Sequence, residues 1–353
     1  MKCLAPWKAI AVRFNGDVTP DCVYTGRNGN LHEESLPALM QHPGLLSTQL
    51  SIQQGILPNQ CSQCEKKENV NNHSRRVFFD QILRHVPRTP ENDIRFLEVN
   101  ISNKCNLRCV MCSGVNSTAW VKQDIKLHEL GVERPINHPD FGYRIVKPDI
   151  IDRLFEYPSY FKNLEYVNIK GGEPFMEEDN VKLLRKLIDM NLHKQVTIDI
   201  STNGTVENKE FEELLKQFKT KIHISIEGTG KLYEYVRGES WDHFLSNLER
   251  FDKFDRVIFA GTIMTYNVRH YQNVILWNIE NKKHEMFFNN VVTTPEYLNP
   301  TILPESILSG TGYWTDSKLT HNLEKFIDYT KKLDMVRGTN VLDVCPELAP
   351  LFT

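Results

Sequence analysis

Asn103-Lys-Cys-Asn-Leu-Arg-Cys-Val-Met-Cys112 sets Cys105, Cys109 and Cys112 on one short loop, directly after the apolar run Phe96-Leu-Glu-Val-Asn-Ile101. The run reads as a buried strand, so the three thiols emerge where that strand ends. Three thiols this close ask for a metal. Structural zinc normally takes four protein ligands, whereas a cubane 4Fe–4S cluster held by three thiolates keeps one iron open for a substrate or cofactor. The C-x3-C-x2-C spacing therefore reads as an open cluster.

Working outward, residues from about 93 onward alternate apolar strands with amphipathic helices, the pattern of βα units on a parallel sheet. Strands are expected near 96–101, 165–170, 195–201, 221–226, 257–264 and 286–292. Helices are expected at 177–191, 208–218, 241–252 and 270–282. The first of these carries an apolar stripe of Val181, Leu183, Leu184, Leu187 and Ile188. Six such units describe an α/β fold, a partial (β/α)6 TIM-like barrel over 93–300. Residues 113–148 exceed a tight βα connection and contain Gly114, Gly131, Pro135, Pro139 and Gly142, which predicts a partly helical insertion. Residues 76–92 read as a linker. Residues 301–353 read as a helix at 316–333 followed by an irregular tail.

In parallel barrels the reactive groups collect at the C-terminal ends of strands, and each notable motif sits at such an end. Lys170-Gly-Gly-Glu-Pro174 follows the second strand. Gly171 and Gly172 let the backbone approach a ligand, Glu173 offers a carboxylate for an ammonium group, and Pro174 fixes the turn into the next helix. The third strand ends in Asp199-Ile-Ser201-Thr-Asn203-Gly204 and the fourth in His223-Ile-Ser225-Ile-Glu227-Gly228. Turn chemistry explains Gly-Gly-Glu-Pro equally well when it is taken alone.

Together these motifs, in this order, resemble the radical S-adenosylmethionine (SAM) superfamily. The resemblance implies that Cys105, Cys109 and Cys112 hold a SAM-binding 4Fe–4S cluster. It implies that Gly171, Gly172, Glu173 and Pro174 hold the methionine amino group. Ser201, Asn203, Ser225 and Glu227 fall where the family contacts the ribose and the amino-acid part of SAM, and Arg237 in Tyr235-Val-Arg-Gly238 resembles the arginine that pairs with the SAM carboxylate. Thr262, Met264 and Asn267 fall at an adenine pocket, although core packing explains Met264 as well. Met111 stands where an aromatic residue usually precedes the third cysteine. The implied reaction is reductive cleavage of SAM to a 5′-deoxyadenosyl radical that takes hydrogen from a substrate, with an electron donor such as flavodoxin or ferredoxin.

Residues 1–75 differ from the rest, with turn formers such as Asn15-Gly16-Asp17 and Gly26-Arg-Asn-Gly29 around short apolar runs. A small, loop-rich module of this kind needs a staple, and Cys3, Cys22, Cys61 and Cys64 can supply one. Cys61-Ser-Gln-Cys64 suits zinc or iron. The long gap between Cys3 and Cys22 tilts the reading toward a second 4Fe–4S cluster, with zinc as the alternative. The segment resembles the auxiliary-cluster element called Twitch or SPASM, placed before the barrel where relatives commonly carry it after.

Composition narrows the partners. A formal net charge of −3 with 40% hydrophobic and 25% charged residues gives no global pull toward nucleic acid or anionic lipid. No apolar stretch is long enough to span a bilayer. Pro6, Lys8, Arg13 and Asn15 interrupt the N-terminus, so no export signal is read and a cytoplasmic setting is expected, in which clustered cysteines serve metals more than disulfides. His32, His73, His85, His128 and His138 show no metal-ligand spacing. Cys345 reads as a small buried thiol or, by resemblance to peptide epimerases, as a hydrogen-atom donor. The expected substrate is a peptide or protein; a small metabolite for an oxidoreductase or isomerase is the second reading, and a non-catalytic metal protein the third.

Overall fold

A computed structural model of the chain describes residues 3–71, 74–87, 93–134, 149–282 and 284–353. It divides into two compact units, Met1–Asn103 with Ile145–Ile200 and Asn208–Thr220, and Lys104–Arg144 with Ser201–Glu207 and Lys221–Thr353. Both are α/β with parallel strands, the class expected from the sequence.

In the first unit, β1 (Ala9–Val12), β3 (Phe96–Asn100), β4 (Tyr166–Lys170) and β5 (Thr197–Thr202) pair in parallel, and β2 (Val18–Thr19) adds antiparallel to β1. The first four residues of β3 and of β4 are buried, as parallel strands covered on both faces require. The helix Glu178–Asp189 follows β4. Glu177 caps it by accepting from the Asp179 amide, Glu178 and Asp179 suit its N-terminal dipole, and Leu183, Leu184 and Leu187 are buried.

Two expectations for the N-terminal region change here. The run Ala9–Val12 is a strand that extends the sheet through β3, and the region also holds the helices Pro43–Gln53 and Ser62–Asn71. Residues 76–82 of the expected linker belong to the helix Arg75–Ile82, while 88–92 lie outside the described residues. Phe79 on this helix is fully buried against Phe96 at 5.0 Å between ring centroids, and Phe96 stacks on Tyr166 at 5.3 Å. Each such ring contributes about 1.5–3 kcal/mol over an exposed one, which explains why these residues are ordered into the core.

At the end of β4 the backbone turns sharply. Gly171 has φ +144° and a Cβ there would lie 2.7 Å from the Ser102 carbonyl oxygen, while the Gly172 amide donates to that same oxygen at 2.9 Å. Gly171→Ala is expected to lower unfolding stability by about 1–3 kcal/mol, read as a lower urea midpoint with unchanged slope. An unchanged midpoint would show that the turn relaxes around the methyl.

In the second unit β6 (Lys219–Ser225), β7 (Arg256–Ile263) and β8 (Glu285–Val291) pair in parallel. The helices Trp241–Leu248 and Tyr271–Asn281 follow β6 and β7, close to their expected places. Of the expected insertion, residues 118–129 form a helical turn and the helix Val121–Glu129, and 135–148, with Pro135, Pro139, His138 and Gly142, lie outside the described residues, as does His73. The C-terminal helix runs Leu323–Arg337, later than the expected 316–333, because the first of those residues form turns and a short 3-10 segment. Trp120, Tyr266, Phe326, Tyr329 and Cys345 share the buried core of this unit. No helix among the described residues is long and apolar enough to cross a membrane.

Candidate cluster and cofactor sites

The loop Cys105–Cys112 has no regular hydrogen-bond ladder, so its shape must come from side chains aimed at its backbone. Ser117 donates to the Leu107 carbonyl at 2.6 Å, Trp120 Nε1 to Cys109 at 2.9 Å, and Tyr329 to Val110 at 3.2 Å. Thr118 donates to Cys105 at 3.3 Å, Arg337 to Arg108 and Arg134 to Cys112. The Val110 amide donates to Val236 at 2.8 Å, which ties the loop to the helix Gly230–Arg237. Two guanidinium groups lie over the Trp120 indole, that of Arg134 at 4.3 Å and that of Arg337 at 4.9 Å from the ring centroid.

This frame gathers the three cysteines. Cys105 and Cys109 pack together with Leu107, and Cys112 packs against them. Cys109 and Cys112 share a hydrogen bond that splits their acidities. Donating it, together with burial, pushes Cys109 up; accepting it draws Cys112 down against burial, and Arg237 favours the thiolate of both. Metal binding requires the deprotonated thiols, which the nearby guanidinium assists. Asn203 Nδ2 lies 3.9 Å from Cys105 Sγ and donates to Asn106 at 2.8 Å, and Asn106 in turn donates to Thr205 at 2.8 Å.

Arg237 is the last residue of the helix Gly230–Arg237, closed by Gly238 in the left-handed region at φ 73°. It is buried and pairs with the equally buried Glu227 at 3.2 Å. Burial raises the Glu227 pKa against the pull of Arg237. Arg237 Nε has no partner among the described residues. A buried guanidinium N–H without an acceptor is costly, and an incoming carboxylate satisfies it. Three thiols, a buried cation and an orphaned donor are therefore a set that a cluster with an anionic ligand fits.

Other residues singled out in the sequence fall as follows. Ser201 and Ser225 are half-buried at their strand ends, Met111 packs partly buried against the cysteine cluster, and Met264 is in the core. The Asn267 amide is spent on the backbone, accepting from Met264 N at 2.8 Å and donating to the carbonyls of Glu227 and Thr262 at 2.9 Å each, so its work here is to fix the chain next to Glu227. Cys345 is fully buried with Sγ donating to the Tyr266 carbonyl at 3.0 Å. In the first unit Glu173 is buried and its carboxylate accepts from the Phe175 amide at 3.1 Å, and Pro174 opens the short 3-10 helix Pro174–Met176. His32 pairs with Asp149 at 3.2 Å and His270 with Glu347 at 2.7 Å. The loop-holding residues Trp120, Arg134, Tyr329 and Arg337 carry no motif, and only the structure brings them to the loop.

Three of the N-terminal cysteines, Cys3, Cys61 and Cys64, line a recess in the first unit together with Asp21 and Arg76. Burial pushes Cys3 up to about 12 and Cys61 up to about 11. A thiol-lined, largely apolar recess fits an iron–sulfur cluster.

Residues 99–276, half of the chain, match the Radical SAM superfamily, and residues 3–65 match SPASM, an iron–sulfur cluster-binding domain. An uncharacterised protein of Methanocaldococcus jannaschii is 25% identical over 139 residues, 38% of this chain and 39% of that protein. The GTP 3′,8-cyclase of Aliarcobacter butzleri is 22% identical over 138 residues, 39% of this chain and 36% of the cyclase. The chain thus spans well under half the length of these curated relatives. Among solved structures, Streptococcus suis SuiB bound to its precursor peptide SuiA aligns with a TM-score of 0.41 at 15% identity, over 99% of this chain and 75% of SuiB. The first family match implies a 4Fe–4S cluster and SAM, and the second an auxiliary iron–sulfur cluster. With a cluster-binding segment at residues 3–65 and a SAM domain at 99–276, the chain belongs to the radical SAM superfamily.

Proposed function

We propose that this radical SAM enzyme acts on a peptide or protein, abstracting hydrogen from a side chain or the backbone. The observation that carries the SAM-cleaving assignment is the orphaned Arg237 Nε, buried beside the thiols of Cys109 and Cys112. Cys105, Cys109 and Cys112 would hold the cluster, and a cluster with SAM bound to it supplies reductive carbon–sulfur cleavage and a 5′-deoxyadenosyl radical. Arg237 takes the SAM carboxylate through its free edge while Glu227 holds the opposite edge in place. In this reading Ser201, Asn203 and Ser225 supply polar contacts to the sugar and amino-acid parts. The enclosing core keeps competing hydrogen-atom donors, such as stray thiols and weak carbon–hydrogen bonds, away from the reacting carbon.

The peptide assignment is supported by the cluster-binding module in the same chain as the SAM domain, an arrangement shared with peptide-modifying radical SAM enzymes. A second reading, chemistry on a small metabolite, is favoured by the relatives named GTP 3′,8-cyclase. Flavodoxin or ferredoxin is the proposed electron donor.

Anaerobic reconstitution tests the assignment. Two 4Fe–4S clusters require about eight irons per chain, with 5′-deoxyadenosine released only when SAM and a reductant are both present. Stoichiometric zinc without SAM cleavage would overturn it. Mass spectrometry of candidate precursor peptides incubated with the reconstituted chain, compared with GTP as substrate, separates the two substrate classes: loss or exchange of peptide hydrogen supports the first, and turnover of the nucleotide the second.

A further inference from the structure

The tail after the helix Leu323–Arg337 returns to the turn that follows β7. His270 closes that turn, just ahead of the helix Tyr271–Asn281, and Cys345 and Glu347 lie in Asp343-Val-Cys-Pro-Glu347. His270 Nε2 meets Glu347 Oε1 at 2.7 Å across 77 residues of sequence. Ligand atoms of His270, Cys345 and Glu347 all lie within 4.8 Å of one another, a spacing that a single metal ion can bridge. The sulfur is fully buried, and the imidazole and carboxylate side chains are 23% and 22% exposed.

Backbone bonds hold this trio without using its ligand atoms. The His270 amide donates to Asn267 at 2.8 Å and the Cys345 amide to Val341 at 2.8 Å, while the Leu348 amide donates to the Cys345 carbonyl at 3.0 Å. Ligands fixed in advance lose little freedom when an ion arrives. The charges also balance. A neutral imidazole, a thiolate and a carboxylate carry two negative charges, which one divalent cation cancels. The neighbouring Arg269 guanidinium is engaged elsewhere, donating to the Ile307 and Ser309 carbonyls at 2.7 and 3.0 Å. Burial pushes the Cys345 thiol up, and its proton rests on the Tyr266 carbonyl at 3.0 Å. A bound cation supplies the charge that stabilises the thiolate, and the displaced proton goes to solvent.

One sulfur, one nitrogen and one oxygen form a borderline-soft set that suits zinc, whereas calcium and magnesium favour oxygen alone. We infer that His270, Cys345 and Glu347 form a mononuclear zinc site, with water as the fourth ligand, that clips the C-terminal tail to the turn after β7. This site is separate from both groups of clustered cysteines and does not rest on the substrate reading. Three protein ligands leave it open, so its occupancy follows the supply of zinc. The clipped turn also carries Asn267, which donates to the carbonyl of Glu227 at 2.9 Å, and Glu227 is the partner of Arg237. Zinc therefore stiffens the segment on which that buried pair leans.

The test uses the full chain, anaerobically reconstituted with iron and sulfide, equilibrated with zinc chloride and then freed of loosely held metal by gel filtration. About one zinc per chain is expected beside the iron, and X-ray absorption at the zinc edge is expected to show one sulfur at about 2.3 Å with nitrogen or oxygen in the remaining positions. His270→Gln and Glu347→Gln are each expected to weaken zinc binding by at least about tenfold with iron content unchanged. Cys345→Ser is expected to remove the sulfur signal; the two partly exposed positions keep the test intact should that core variant fail to fold. Absence of retained zinc in the parent would overturn the inference, as would unchanged zinc binding in both His270→Gln and Glu347→Gln. A zinc with three or four sulfur ligands would also overturn it, by placing the ion among the clustered cysteines. Failure of the iron–sulfur assignment reads separately, as low iron.

Discussion

Cys109→Ala is expected to abolish release of 5′-deoxyadenosine and to lower iron content by about half, from about eight to about four per chain. The effect is this large because Cys109 supplies one of only three thiols to the open cluster, while the alanine keeps the backbone carbonyl and so leaves the frame intact. Its sulfur shares a hydrogen bond with Cys112, and its carbonyl accepts from Trp120, so its thiol is set at a fixed place relative to the other two. Two remaining thiols leave an open cluster with two unligated irons, and such a cluster is lost. Cys109→Ser separates ligation from packing, because it keeps size and a hydrogen-bonding group but provides a poor ligand for iron. It is expected to fold like the parent, to bind about four irons and to leave SAM intact. Retention of SAM cleavage by either variant would remove the 105–112 loop from the chemistry altogether. The auxiliary cluster, in a separate set of cysteines, provides the internal control.

Arg134→Met is expected to cost about 3–5 kcal/mol of stability, as breaking a buried ion pair does when one partner stays behind. Arg134 Nε pairs with the fully buried Asp124 at 2.9 Å, Nη1 donates to Tyr329 at 2.7 Å and Nη2 donates to the Cys112 carbonyl. Removing it strands a carboxylate that burial already raises in pKa, and it uncaps the loop at its last cysteine. The measurement is the urea midpoint of the iron-free chain, together with the rate at which the reconstituted chain loses iron to a chelator. The double variant Arg134→Met, Asp124→Leu removes the stranded charge and is expected to regain much of the stability but none of the iron retention, since the Cys112 carbonyl still lacks its donor. Equal recovery of both would show that the loop does not depend on that hydrogen bond.

How much of this was legible depends on range. Strands β3 to β8 fall within two residues of their expected places, because each is an apolar run bounded by turn formers, and such runs are local in sequence. Cys105, Cys109 and Cys112 were legible for the same reason. The strand Ala9–Val12 was read as one of several short apolar runs, since four residues carry no period that tells a sheet strand from a loop. The helix Gly230–Arg237, which carries Arg237, is only eight residues long and is not among the helices expected from the sequence. Trp120, Arg134, Tyr329 and Arg337 had no legible role, because what they do is donate to backbone carbonyls distant in sequence.

Tyr329 and Arg337 reach the cysteine loop across 219 and 229 residues of sequence. A chain emerging from the ribosome therefore presents its three thiols long before the helix Leu323–Arg337 exists to brace them. Until then the loop lacks two of its carbonyl donors and one of the two guanidinium groups that lie over Trp120. The frame that shapes the cysteine loop is thus complete only once the last helix of the chain has been made, so the ligand geometry of the loop is a property of the finished chain and not of the segment that carries the thiols.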